Sequence, residues 1–287
     1  MTSKHVPGTK ALRLYPPAPK NFDPFCASDK DLLRHGLPLR PDPHAQPGLA
    51  ALWDRQAARY RSFEHLEPQP DTATADREVV AATALGPDPI SSCGYQLFNP
   101  GAPFTAMFVT WTVPNLQFTP SQTGVNHFHT FAGLGFLDIH VEMTVDAAQA
   151  VTSRLWAQGV GQINLPARPG DVISGSLCLQ TNPAGTASYF LANETTGQTL
   201  NFAFDTGFPP AVTINAGVTR SGPVNHPFPP LARFGAVYFD EISAYTTSGT
   251  RTLTSGQAIT MVDQNGKILA RPTRLSDFAF RTEFVAA

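Results

Sequence analysis

An all-β sandwich or barrel with a short, helical, Pro-rich N-terminal extension is the fold class this sequence predicts. Three observations predict it. From about Ile90 onward, short β-branched and aromatic runs alternate with Gly, Pro, Asn and Asp. No long helical pattern interrupts that series, which argues against a parallel βαβ architecture. The convincing helical signals fall within roughly the first 75 residues, and the 287 residues suffice for one large β-domain plus such an appendage.

In chain order, Ser28 is placed to N-cap a short helix with Asp31 at the third helical position and Gly36 as its stop. After Pro47, the residues Leu49, Leu52, Trp53, Ala57 and Tyr60 recur at helical spacing, with Arg55, Arg59 and Arg61 on other faces. That apolar stripe predicts a second helix docked on the main domain as a structural clasp. The domain boundary is placed at residues 75/76, giving a 1–75 extension and a 76–287 β-domain. The clearest strands are 104–113, 128–134, 139–145, 172–179, 188–192, 200–204 and 236–239. Arg168-Pro-Gly-Asp171, Asn182-Pro183, Thr196-Gly197 and Asn265-Gly266 supply turns between them.

Composition excludes several functions. The 20 Lys and Arg are scattered and outnumbered by 22 Asp and Glu, so no basic stripe for nucleic acid or an anionic membrane is present. No run approaches the ~20 apolar residues of a membrane span. Met1 to Pro19 is broken by prolines and has no apolar core of a secretory signal, so a soluble, cytoplasmic protein is expected. Cys26, Cys93 and Cys178 have unrelated spacings and read as reduced thiols.

Several segments, in order, resemble the glutamic peptidases (eqolisins, peptidase family G1/A4). Ser91-Ser-Cys-Gly-Tyr95 is similar to that family's opening Ser-Asn-Trp-Ala-Gly strand, and Trp111-Thr-Val-Pro114 to its Trp-Thr-Val-Pro. Phe131-Ala-Gly-Leu-Gly135 stands where the family has Trp-Val-Gly-Ile-Asp-Gly, and Pro169-Gly-Asp171 matches its Pro-Gly-Asp turn. Asn193-Glu-Thr-Thr-Gly197 and Leu231-Ala-Arg-Phe-Gly235 follow in the same order. The resemblance implies a two-sheet jelly-roll (concanavalin-like) β-sandwich with a substrate groove on one concave face. It also implies a catalytic Gln and Glu, and neither is here. The Gln position falls at His140, and the family's Ala-Glu-Trp becomes Ala216-Gly217-Val218. No Glu occurs between Glu194 and Glu241, so a shifted alignment does not restore it. The family's Asp falls at Gly135.

What the groove holds instead follows from strand alternation, which puts residues two apart on one face. If Phe131 faces the groove, so do His127 and His129, and on the following strand Glu142 shares the face of His140. Three of the eight histidines lie within these fourteen residues. His127, His129, His140 and Glu142 are therefore the expected ligands of one divalent metal (Zn, Mn, Fe or Ni), whose open position would activate water. Without a metal, His140, Glu142 and His129 make a proton-transfer cluster, as catalytic residues. As a purely structural set, they would hydrogen-bond to Asp138 and Asn126. Phe131, Trp156 and Tyr189 are the expected substrate-binding aromatics. The functional readings are a divergent hydrolase, lyase or isomerase acting on a small-molecule, peptide or glycan ligand; a non-catalytic peptide or glycan binder; and an acid peptidase using Glu142. Asn193-Glu-Thr195 is a glycosylation sequon in form, read here as a turn. Ser91 and Ser92 lack a nucleophile elbow.

Overall fold

The computed structural model describes residues 3–16, 18–19, 21–35, 37–73, 91–181, 184–220, 230–246 and 248–285. The 75/76 boundary, Gly36 and the Asn182-Pro183 turn lie outside the described residues. The extension contributes β1 (Lys4–His5), β2 (Arg13–Leu14), α1 (Asp29–Arg34), α2 (Pro47–Ser62) and β3 (Glu64–His65). Then come β4 (Ser92–Phe98), β5 (Phe104–Thr112), β6 (Val125–Leu134), β7 (Leu137–Asp146), β8 (Val151–Ala157), β9 (Gly161–Gln162) and β10 (Val172–Thr181). They are followed by β11 (Ala184–Asn193), β12 (Gln198–Asp205), β13 (Thr213–Thr219) and β14 (Ala236–Thr246). The chain ends in β15 (Gly249–Arg251), β16 (Gln257–Ile259), β17 (Met261–Val262), β18 (Ile268–Arg274) and β19 (Phe280–Phe284).

These strands form two antiparallel-based sheets packed as a sandwich. Among the described residues the larger has 12 strands, in the order β1-β2-β12-β11-β10-β5-β14-β19-β18-β17, with β15 on β14 and β3 on β12. The smaller has seven, in the order β16-β4-β13-β6-β7-β8-β9. Between them lies one core in which Met107, Val109 and Trp111 of β5 meet Phe128, Ala132, Ile139 and Val141 of the small sheet. The indole N–H of the buried Trp111 donates to Thr130 Oγ1 across the interface at 2.8 Å. At the expected turns, Gly170, Gly197 and Gly266 take positive φ of 91°, 67° and 80°.

The near-continuous burial of β5 has a specific cause. Its other face, Ala106 and Phe108, is also buried, together with Phe190, Ala192 and Tyr245, beneath Leu32, Trp53, Ala57 and Tyr60 of the extension. A strand covered on both faces needs no polar alternation. α2 lies there as the periodicity predicts, with Leu49, Leu52, Trp53, Ala57 and Tyr60 all buried. Ser28 caps α1 through its Oγ, which accepts from the Asp31 N–H at 3.2 Å.

Two arginines of α2 do more than border the stripe. Glu241 on β14, 3% exposed and at φ 57° where the strand bulges, accepts from Arg55 Nε (2.7 Å), Gln56 Nε2 (3.0 Å), Arg59 Nη1 (2.6 Å) and Thr110 Oγ1 (2.7 Å). Arg59 also reaches Glu194 at 3.1 Å. The clasp is thus both apolar and ionic. The extension also pairs with the sheet itself: Leu14 and Glu64–His65 hydrogen-bond to β12, covering an edge that would otherwise be open to strand addition.

Candidate functional site

The outward face of the small sheet is ordered by its register. One cross-strand row runs Gly94, Gly217, Phe131, His140, Trp156, Gln162 over β4, β13, β6, β7, β8 and β9. The adjacent row runs Ser92, Thr219, His129, Glu142, Arg154. His127 lies one row further, opposite Thr144. Strand alternation therefore places His127, His129, Phe131, His140, Glu142 and Trp156 on a common face, as the sequence predicts.

At its centre is an aspartate–histidine pair. His140 Nδ1 is hydrogen-bonded to Asp138 Oδ1, two residues back on the same face of β7. The Asp138 carbonyl is tied down by the Gln158 N–H at 2.8 Å, which fixes the strand beneath the carboxylate. A carboxylate only accepts, so in the neutral ring Nδ1 carries the proton and donates it, and Nε2 keeps the lone pair. The His140 ring stands between two others: His129, with centroids 5.0 Å apart and planes within 9°, and Trp156, at 6.1 Å and 6°. Phe131, directly opposite His140, is 7% exposed.

His129 is held neutral. Burial is the largest cause of a pKa well below the usual imidazole value, and the neighbouring His140 and His127 imidazoles add to it. Its Nε2 is shielded and has no hydrogen-bond partner among the described residues.

Several expectations are corrected here. The ligand set His127, His129, His140 and Glu142 is not assembled: among the described residues no group of three or more His, Cys, Asp or Glu could hold a metal ion. The reason is orientation, since parallel stacked rings do not converge their nitrogens on one point. Tyr189 does not line this face. It points between the sheets, fully buried, with its hydroxyl 3.3 Å from the Gln158 carbonyl. Asn126 is no partner of the histidines, because an even position on β6 faces the opposite way; its side chain pairs with both backbone groups of Thr119, at 2.6 and 2.9 Å. Gly135 belongs to the tight β6–β7 turn at φ 58°. Asn193 is buried, and its Nδ2 donates to Pro166 O and Asp171 Oδ2 at 2.9 and 2.8 Å, consistent with a turn.

Gly217, where the resemblance puts the family's Glu, is sterically required to be glycine. Gly217 and Gly94 face each other in register, and a Cβ on Gly217 would lie 2.1 Å from the Cys93 carbonyl oxygen. A Cβ on Gly94 would lie 2.0 Å from the Ala216 oxygen. Both strands approach so closely that this row begins as bare backbone. Only the Ala216-Gly217-Val218 segment marked that feature in the sequence; nothing marked Gly94 as its counterpart.

Fold and site together define a two-sheet β-sandwich with an Asp–His pair on the outward face of its smaller sheet. Residues 91–281 match the Peptidase A4 family, and the chain belongs to that family. Two solved structures share the fold. Scytalido-glutamic peptidase with a transition-state analog inhibitor is 16% identical with a TM-score of 0.51, covering 68% of this chain and 98% of its own. SCP-B, a member of the eqolisin family in complex with the tripeptide Ala-Ile-His, is 16% identical with a TM-score of 0.53 and the same coverage. No curated protein matches the sequence. No helix among the described residues is long and apolar enough to cross a membrane.

Proposed function

We propose that this protein is a divergent hydrolase that uses His140, oriented by Asp138, as general base on a peptide laid along the Gly217–Phe131–His140–Trp156 row. The observation that carries the reading is the engagement of Nδ1 by Asp138, which leaves Nε2 as the basic nitrogen in a fixed ring plane. In the reaction, Nε2 takes a proton from water as the water oxygen bonds to the peptide carbonyl carbon. Asp138 stabilises the resulting imidazolium. The same proton then passes to the amide nitrogen as the C–N bond breaks. Peptide as the ligand class is carried over from the relatives, which hold a peptide-based analog and a tripeptide. Glu142 pairs in register with His129 and Arg154, one row from His140, and has no role in this scheme.

The test is digestion of a denatured protein substrate between pH 3 and 8, with new termini read by mass spectrometry. Cleavage should be present at neutral pH, and His140→Gln or Asp138→Asn should lower it by about a hundredfold or more. Cleavage confined to acid pH, or undiminished in His140→Gln, would overturn the reading. A second reading, a peptide binder without catalysis, is favoured by the bare backbone at Gly94 and Gly217, which leaves no acid on the far side of Phe131 in the row that carries His140. It predicts peptide binding with no new termini, unchanged in Asp138→Asn.

A further inference from the structure

We propose that His129 is a positioning residue for His140, acting as a neutral planar wall and not as a base or a ligand. This rests on the role of His140 given above. Three observations carry it.

The first is the stack. The rings of His129 and His140 lie 5.0 Å apart and within 9° of parallel, and Trp156 closes the other side at 6.1 Å and 6°. An imidazole between two parallel planes does not turn about its Cβ–Cγ bond without striking one of them. The hydrogen bond to Asp138 selects one of the two flip states, and the walls keep the ring in it. Alone, the hydrogen bond would leave the ring free to rock, because a side-chain torsion onto a flat ring has a broad minimum.

The second is the state of His129 Nε2. It is shielded and without a hydrogen-bond partner among the described residues, so it is poorly placed to take a proton from water. The titratable groups around it are His127 beside it on β6, His140 against its face and Glu142 directly across on β7, with Thr219 uncharged on β13. Of these, the two imidazoles and burial work against a charge on His129. A charged neighbour 5 Å from His140 would oppose the imidazolium that catalysis requires; a neutral ring does not.

The third is register. His129 is diagonal to His140, one row along, and not directly opposite it. Diagonal cross-strand neighbours are within reach of ring side chains, which is how the stack forms without displacing Phe131.

The test uses full-length protein labelled with 15N-histidine. In wild type, His140 should show a single Nδ1–H tautomer with a hydrogen-bonded, downfield ring proton. His129→Leu, which keeps volume and loses the plane, should give mixed tautomers and loss of that proton signal, with cleavage reduced about tenfold or more. His129→Phe, which keeps the plane, should restore both. Unchanged His140 signals in His129→Leu would overturn the proposal. So would a folded His129→Phe with intact His140 tautomer and no cleavage, since His129 would then be acting through its nitrogen. The tautomer is read without substrate. If His140→Gln leaves cleavage intact while His129→Leu still scrambles the His140 tautomer, the hydrolase reading fails and the positioning role stands.

Discussion

Restoring the family's acid at position 217 should damage the protein instead of reviving an acid peptidase. In Gly217→Glu, the new Cβ starts 2.1 Å from the Cys93 carbonyl oxygen and 2.9 Å from the Gly94 Cα. Cβ atoms essentially never come nearer than about 3.0 Å to another heavy atom, so β4 and β13 must part by about 1 Å. The partner strand offers no flexible side chain that could yield, since the obstruction is backbone. Overpacking of this kind costs about 1–3 kcal/mol, and the carboxylate adds a desolvation cost, for a total of about 3–5 kcal/mol. At about 2 °C per kcal/mol, the expected fall in Tm is about 6–10 °C. Gly217→Ala isolates the steric part and should cost about 2–3 kcal/mol. The assay is urea denaturation of both variants beside wild type, with acid-pH digestion of a denatured protein in parallel. A Gly217→Glu protein within about 1 kcal/mol of wild type, or one that gains acid cleavage, would refute the reasoning.

Two further outcomes follow from buried groups. Glu241→Gln should destabilise the fold by about 1–3 kcal/mol, because it removes the buried charge that holds Arg55 and Arg59 and leaves Arg59 with Glu194 alone; denaturation and hydrogen exchange at α2 would show it. Burial pushes the Glu241 pKa up, but the hydrogen bonds and charge of Arg59, then Arg55 and Thr110, outweigh burial and leave it below the usual carboxylate value. Its stabilisation is therefore complete above the unfolded carboxylate range and is lost as pH falls through the lower folded value, a slope Glu241→Gln should lack. Glu194, raised by burial, works in the opposite direction and stays in both proteins. Among the thiols, Cys93 and Cys178 are buried and pushed up to about 12 by burial, whereas Cys26 is exposed. A thiol reagent at pH 8 should modify one cysteine in native protein and three after denaturation, and rapid native labelling of a second would contradict that packing.

Much of the fold was legible because its signals are local. Strand runs, the Pro-Gly-Asp and Asn-Gly turns and the periodicity of α2 depend on residues a few positions apart, and each formed where the sequence indicated. The common face of His129, Phe131 and His140 was legible for the same reason, as a period of two needs no tertiary information. Alternation says which face a side chain takes, however, and not where its nitrogens point. The metal set was therefore inferred from a shared face and undone by ring stacking. Tyr189 was taken for a surface aromatic because nothing in 184–193 distinguishes the inner face of β11 from the outer one when both are buried.

The sequence by itself determined the sandwich, the clasping helix and the shared strand face of His129, Phe131 and His140. Tertiary structure alone decided the rest. Glu241 meets Arg55 and Arg59 across more than 180 positions of chain, and Gly94 meets Gly217 across more than 120. Contacts of that separation leave no periodic or local trace, since what fixes them is the packing of whole sheets. Asp138 and His140 are only two residues apart on one strand face, but the rings beside the imidazole, His129 of β6 and Trp156 of β8, came from the order of the sheet.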